Sequence, residues 1–487
     1  MTARRISAWL WLGLAVAACG GTEEPAPLTR NQLLDPESCK DCHPKHYQEW
    51  SSSMHAYAST DPVFLAMNKR GQEEANLGQF CVQCHAPMAV REHAITDFGD
   101  LSSVPKHLQG VTCYFCHNAT SAGEPHNNAN IQLANDTVMR GPLNNVVKPW
   151  AHDVGYSPHH DPTKMESSVM CGTCHDIMTP SGFHLERTFF EYQKSNISKP
   201  PGFLSCQDCH MVPDRNEEPT AVYPGVSSRT NHSHLWPAVD VALTEWPNRD
   251  AMRIAVERCE LQQRSLTDLK VEAGQSVPGE PFSFTVFLET AAAHSMPSGA
   301  ASDRRMWVDL IAYDSAGTEV LKSGQIAAGE VEEKPADDPA HDPNFCVFRD
   351  RIFNAEGKEV HMFWEATQRI PAEPKVLPPQ VDATVRHYAE CSFRTPRGLR
   401  EAPAKISVRV RMRPMGVDVL QDLVSSGHLD PKYVAEMPTF TVADREFELD
   451  PATRAYTLKM DLAQDDCDLH AQMLACARDP QSPNCQP

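Results

Sequence analysis

Positive charge is what this sequence has too little of. Its 487 residues carry 44 Lys and Arg against 64 Asp and Glu, a formal net charge of −20. That balance excludes a nucleic-acid backbone as a natural partner and favours a soluble, acidic surface. Long apolar runs are missing too. The run over residues 6–18 follows Arg4 and Arg5 and ends in small residues. It falls well short of the roughly 20 residues a membrane-crossing helix needs. A short basic start, an apolar stretch and small residues make a signal peptide, expected over 1–18 and implying export.

Cysteine, by contrast, is abundant and ordered. Ten of the 17 cysteines fall in one word repeated five times: Cys39-Lys-Asp-Cys42-His43, Cys81-Val-Gln-Cys84-His85, Cys113-Tyr-Phe-Cys116-His117, Cys171-Gly-Thr-Cys174-His175 and Cys206-Gln-Asp-Cys209-His210. Zinc and iron–sulfur knuckles also use Cys-x-x-Cys pairs, but nothing in them requires a His directly after each pair. Five pairs is also an odd number for Cys₄ sites. Cys-x-x-Cys-His is the attachment word of c-type haem. The two thiols become thioethers on the porphyrin, and the neighbouring imidazole becomes the proximal iron ligand. The expected cofactors are therefore five covalently bound c-type haems on iron, with His43, His85, His117, His175 and His210 proximal.

The words span 39–210, about one per 35 residues, which leaves little room for an ordinary apolar core. Short helices and long irregular loops are expected there, with helical stretches at 45–54 and 186–194 and an Asn-rich loop from 118 to 148. Residues 211–231, with three prolines and many charges, read as a linker. From about Thr267 the texture changes. Residues 282–288, 306–313 and 405–412 are β-rich, the last alternating apolar and polar for eight residues. The expected fold is multidomain, a mainly α and irregular multihaem domain followed by an all-β, sandwich-like domain. Its divisions are a signal peptide 1–18, a lipid-anchored tether 19–37, the pentahaem domain 38–245, a connecting helix 246–265, the β-domain 266–450 and a Cys-containing tail 451–487. The thiols outside the words are expected to pair in an oxidising envelope. Cys346–Cys391 and a clip within 467–485 are the favoured bridges.

Three resemblances extend this reading. Val16-Ala17-Ala18-Cys19 resembles a bacterial lipobox, which implies cleavage before Cys19 and lipid on its sulfur. The stretch from Cys39 through Trp50-Ser-Ser-Ser53-Met-His55 resembles the opening of the cytochrome c-554 type multihaem family, where a Trp-x-x-Ser-x-His run follows the first haem word. Gly110-Val-Thr-Cys113, Glu186-Arg-Thr-Phe189 and Cys206-Gln-Asp-Cys-His-Met211 are similar to that family as well. Ala292-Ala-His294-Ser-Met-Pro-Ser-Gly299 resembles the Gly-His-x-x-Pro-Thr-Gly motif of β-domains appended to such cytochromes. Carried over by position, the resemblance implies His55, His152, His234 and His294 as distal ligands. His159 or His160 rivals His152, and His232 rivals His234.

An iron with two protein ligands mainly carries electrons, whereas one with a free position can bind a small molecule. Four favoured distal ligands for five irons leave one position unassigned. The expected function is a relay of electrons in the cell envelope of a Gram-negative bacterium. Such a lipoprotein would face the periplasm or the outer-membrane surface and exchange electrons with redox partner proteins there. Two alternatives stand beside it: a haem enzyme acting on a small nitrogen or sulfur oxyanion, and a docking component of an extracellular electron conduit. In pentahaem nitrite reductases the catalytic haem usually has Lys in place of the motif's His. All five words here end in His, which counts against that activity.

Overall fold

The computed structural model describes residues 25–274, 280–371, 376–382, 386–399 and 401–461. The signal peptide, Cys19 and the proposed 467–485 clip lie outside the described residues.

The first half is built from short pieces. Helices at Pro44–Ser52, Pro62–Ala75, Met165–Gly172 and Thr188–Lys194 are separated by turns and two-stranded ladders. Pro62–Ala75 is the longest, and its start is fixed by Asp61, whose carboxylate accepts from the amides of Val63 (2.9 Å) and Phe64 (2.8 Å). The Asn-rich stretch expected as loop contains ladders. Ala119–Ala122 pairs antiparallel with Ile131–Leu133, and Val138–Gly141 pairs parallel with Asp153–Tyr156. Buried Asn118 explains the order, since its side chain bonds repeatedly to Asp136 and Val138.

Two expectations need correction. Residues 25–37 are not an open tether. Thr29 and Gln32 form a capping box on the turn Arg30–Leu33, and Leu33, 2 % exposed, packs in a cluster with Val82, Met88 and Tyr114. Residues 211–231 are not a free linker: Glu218–Pro219 pairs antiparallel with Ser228–Arg229, and the Val222 amide straps the segment to the first word by donating to Cys42 O at 2.7 Å.

The expected connecting helix appears as Arg249–Ala255, a wider π turn at Val256–Leu261, and Gln262–Arg264. Beyond it lie two larger antiparallel sheets and a small third one of Asp350–Phe353, Glu359–Val360 and Gln368–Pro371; the two larger sheets build the core. The strands of the two larger sheets are β1 (Leu266–Ala273), β2 (Ser283–Thr290), β3 (Arg305–Tyr313), β4 (Glu319–Ser323), β5 (Cys346–Phe348), β6 (Ala389–Arg394), β7 (Lys405–Arg413), β8 (Phe440–Leu449) and β9 (Tyr456–Asp461). Of the two larger sheets, one runs β6-β2-β1. The other runs β4-β3-β7-β8-β9, with β5 also on β3. The β-domain thus continues past residue 450, because β9 pairs along β8. Inward-facing Val271, Phe284, Val286, Phe393, Val308, Val408 and Val410 form one core between the sheets. β7 alternates as its sequence does, with Ile406, Val408 and Val410 buried. Cys346 on β5 and Cys391 on β6 are disulfide-bonded and clip the two sheets together, as expected; Cys259 is also disulfide-bonded.

The two halves meet through named contacts. A helix the sequence reading missed, Val417–Ser425, packs Val419, Leu420 and Leu423 against Val63 and Ala66 of Pro62–Ala75. Arg70 bonds Asp422 at 2.9 Å, and Arg187 bonds buried Asp350 at 2.9 Å. The loop between β2 and β3 lies on Thr188–Lys194: Ser295 N donates to Glu191 (3.0 Å), and Gly299 N donates to Thr188 Oγ1 (3.0 Å).

Candidate functional site: five thiol pairs and their imidazoles around one cavity

Each word sits on a single helical or near-helical turn. The His amide donates back to the carbonyl of the first Cys at 2.8 Å for His43, 3.2 Å for His85 and 3.0 Å for His175. Residues i, i+3 and i+4 share one face of such a turn, so both thiols and the imidazole point the same way. All ten thiols are free of disulfides. They line one cavity of about 1250 Å³, together with the five motif imidazoles and His55, His152, His234 and His294. That space exceeds an ordinary ligand pocket and occupies the place where a domain of this size would have its core.

The imidazoles are oriented by the backbone. Nδ1–H donates to a carbonyl from His43 (Thr220, 2.9 Å), His85 (Ala58, 3.0 Å), His117 (Arg140, 2.5 Å) and His210 (Pro237, 3.2 Å). The same bond holds His152 (Asp153, 2.9 Å), His234 (His232, 3.0 Å) and His294 (Ser295, 3.0 Å). Spending Nδ1 this way fixes the tautomer and leaves Nε2 as the free lone pair, the usual outer arrangement of a metal-bound His. Burial pushes the His55 imidazole down to about 3 and His175 to about 4, so both are neutral and able to ligate.

The rings come in facing pairs. His43 and His152 stand 6.5 Å apart between centroids, His55 and His175 6.3 Å, His117 and His234 6.3 Å, and His210 and His294 6.2 Å. An imidazole nitrogen binds a metal at about 2.0–2.1 Å and lies about 1.1 Å from its ring centre, so an ion between two imidazoles separates the centroids by about 6.3 Å. All four pairs match that span, so the residues fit an iron held from both sides. Their planes differ by 27°, 52°, 15° and 15° respectively.

His85 is different. Phe64 stacks on its ring at 3.9 Å and 6°, and among the described residues no imidazole is recorded across from it. The rival candidates have other places. His160 lies beside His117 (5.2 Å, 16°) with Nε2 on Cys116 O at 2.9 Å. His159 turns both ring nitrogens to backbone carbonyls, Glu166 O and Thr120 O, each at 3.2 Å, and so faces the backbone on both sides. His232 turns Nδ1 to Met211 O at 2.9 Å and is paired with no motif imidazole. His159 and His232 are therefore not brought opposite any proximal ring.

The words lie close enough for their thiols to act on one another. The thiols of different words influence one another's titration in pairs: Cys39 with Cys113, Cys84 with Cys174, and Cys171 with Cys206. The cavity wall also holds a charged group the sequence reading missed: Asp61, Glu186, Asp240, Asp303 and Arg304. Burial pushes Glu186 up to about 7 and Asp303 and Asp61 to about 6. Glu186 and Arg304 border segments singled out above, but no periodicity marks them as lining a cavity.

Residues 38–118, with three of the five words, match the family model of cytochrome c554 and c-prime. No curated protein matches the chain. Among solved structures, a penta-heme cytochrome c552 from Thermochromatium tepidum is similar, with 20 % identity and a TM-score of 0.55, covering 85 % of this chain and 98 % of that one. The likeness is one of fold and extends beyond the matched segment into the β-domain. Together these findings support a multihaem c-type cytochrome with covalently bound haem.

Proposed function

We propose that this chain is a five-haem electron relay in which four irons are closed by two imidazoles and one is open. The axial pairs are His43–His152, His55–His175, His117–His234 and His210–His294, and the open position belongs to His85. The observation that carries the reading is the common 6.2–6.5 Å separation of four ring pairs, set against the absence of such a pair at His85 among the described residues. When bound, each haem supplies one reversible electron, at a potential tuned by axial ligand, burial and nearby charge. The chain's own part is to hold the rings. Backbone carbonyls fix the imidazoles, and the fold brings the thiols of different words within electrostatic reach of one another. That coupling supports an order in which the first and third words adjoin, and the fourth adjoins both the second and the fifth.

A second reading, chemistry on a small molecule at the His85 position, is favoured by that same missing ring. The envelope location and the lipid on Cys19 belong to the proposal as well, carried by the apolar start and the Val-Ala-Ala-Cys word. Mass spectrometry of the mature chain tests both parts. The expected mass is that of a chain beginning at Cys19 with a lipid and five porphyrins. Fewer porphyrins would contradict the relay, and an unlipidated Cys19 would contradict the anchor.

A further inference from the structure

One short irregular stretch, residues 234–237, reaches three of the irons of the proposed relay. His234 faces His117 across the third. Pro237 O accepts from His210 Nδ1 of the fifth word at 3.2 Å. Between them stands Trp236, whose indole meets two distal imidazoles at once. It lies edge-on to His55 (4.5 Å between centroids, 64°) and to His234 (5.2 Å, 75°). Aromatic rings favour such separations and tilts. The backbone is strained to put the indole there. Trp236 has a φ of +43°, rare for a bulky side chain, and it precedes a proline, which favours extended backbone. Its neighbours hold the bend: the His234 amide donates to the Glu49 carboxylate at 2.9 Å, and Leu235 is 1 % exposed. Trp236 itself is half-buried, belongs to none of the apolar clusters among the described residues, and lines the cavity instead. Strain of this kind clusters at functional positions, where the surroundings over-determine it.

His55 has the greater need of that contact. Nδ1 of His152, His234 and His294 donates to a carbonyl, whereas among the described residues neither His55 nor His175 has such a bond. Their planes also stand furthest apart of the four pairs, at 52°. With no carbonyl to fix it, the plane of His55 is left to ring contacts, and Trp236 supplies the nearer one. The plane of an axial imidazole sets how its π orbitals meet those of the iron, and so shapes the low-spin signal and the potential. We propose that Trp236 is a positioning residue shared by two irons, its indole fixing the ring planes of His55 and His234. The two irons belong to different groups of words, since the thiols link the first word to the third, and the fourth to the second and fifth. Trp236 therefore touches one distal ring from each group. The inference rests on the four ring pairs of the relay and names a residue that tunes two of them together.

The test is low-temperature paramagnetic resonance of the oxidised holoprotein, with Trp236→Leu to remove the ring and Trp236→Phe to keep an aromatic face. The wild-type protein is expected to show four low-spin signals. In Trp236→Leu two of the four are expected to shift in g-value together while the other two stay in place. Trp236→Phe is expected to shift the same two signals by less. A shift of one signal, of none, or of more than two in Trp236→Leu would overturn the shared role. So would equal shifts in both variants, which would assign the effect to the backbone and not to the ring. A wild-type protein without the four low-spin signals would remove the ring pairs themselves, and the inference with them.

Discussion

The imidazole is the unit on which the account turns, and the backbone decides how each one is held. His55 is the clearest case. Its turn is clamped from the far side by the strap before the third word: Val111 N donates to His55 O at 2.8 Å, and Trp50 Nε1 donates to Val111 O at 2.8 Å. Gly110 makes this approach possible, with a φ of +68° and room for no side chain. A β-carbon there would stand 2.5 Å from Ala56 O and 2.6 Å from His55 O. Gly110→Ala is therefore expected to cost about 2–3 kcal/mol in denaturant unfolding of the holoprotein and to perturb the signal of the His55–His175 iron. An unchanged midpoint would contradict the clamp. Much at this scale was legible in advance. Adjacent residues build the Cys-x-x-Cys-His words, and the Trp-x-x-Ser-x-His run carries His55 by resemblance. Which of His152, His159 and His160 faces His43 was not legible. The choice depends on a carbonyl at Asp153 and on chain folded back from elsewhere, neither of which leaves a local mark.

Among the elements, the loop between β2 and β3 does the most for function. It leaves the sandwich, lies on Thr188–Lys194 and brings His294 to within 6.2 Å of His210. In the proposed relay the β-domain then supplies one iron ligand as well as a cover. His294→Ala is expected to turn one low-spin signal into a high-spin one and to leave the other three ring pairs untouched. Loss of two or more low-spin signals would mean that the loop supports the fold and not a single iron. β-Strands were readable from their alternation, which is local. The helix Val417–Ser425 was not: its Asp418 and Asp422 answer Arg305 and Arg70, far away in the sequence. The segment 25–37 misled for the opposite reason. Its Pro, Glu and Thr content resembles a tether, yet Leu28, Leu33 and Leu34 find apolar neighbours across the chain.

At the level of the whole molecule, charge in the interior sets the response to pH. Burial alone would raise the Asp418 carboxyl, but the Arg305 guanidinium overrides it and holds the group at about 2. The unfolded value is about 3.9. A depressed carboxyl stabilises above its unfolded pKa, so this contribution, about 2 kcal/mol, is lost as pH falls from 4 toward 2. The cavity carboxyls act with the opposite sign. Glu186 near 7 and Asp303 and Asp61 near 6 are raised by burial, so their cost is absent below about pH 4 and complete above about pH 7. Stability against urea is accordingly expected to be greater at pH 5 than at pH 8, with a smaller difference in Glu186→Gln. A steady rise from pH 5 to pH 8, identical in that variant, would contradict this assignment.

The central claim concerns the count of closed and open irons, and low-temperature paramagnetic resonance of the fully oxidised holoprotein measures it directly. Four ring pairs at a metal-bridging separation and one imidazole without a counterpart predict four low-spin signals and one high-spin signal, the last responsive to an added ligand. Five low-spin signals with no high-spin component would contradict the account.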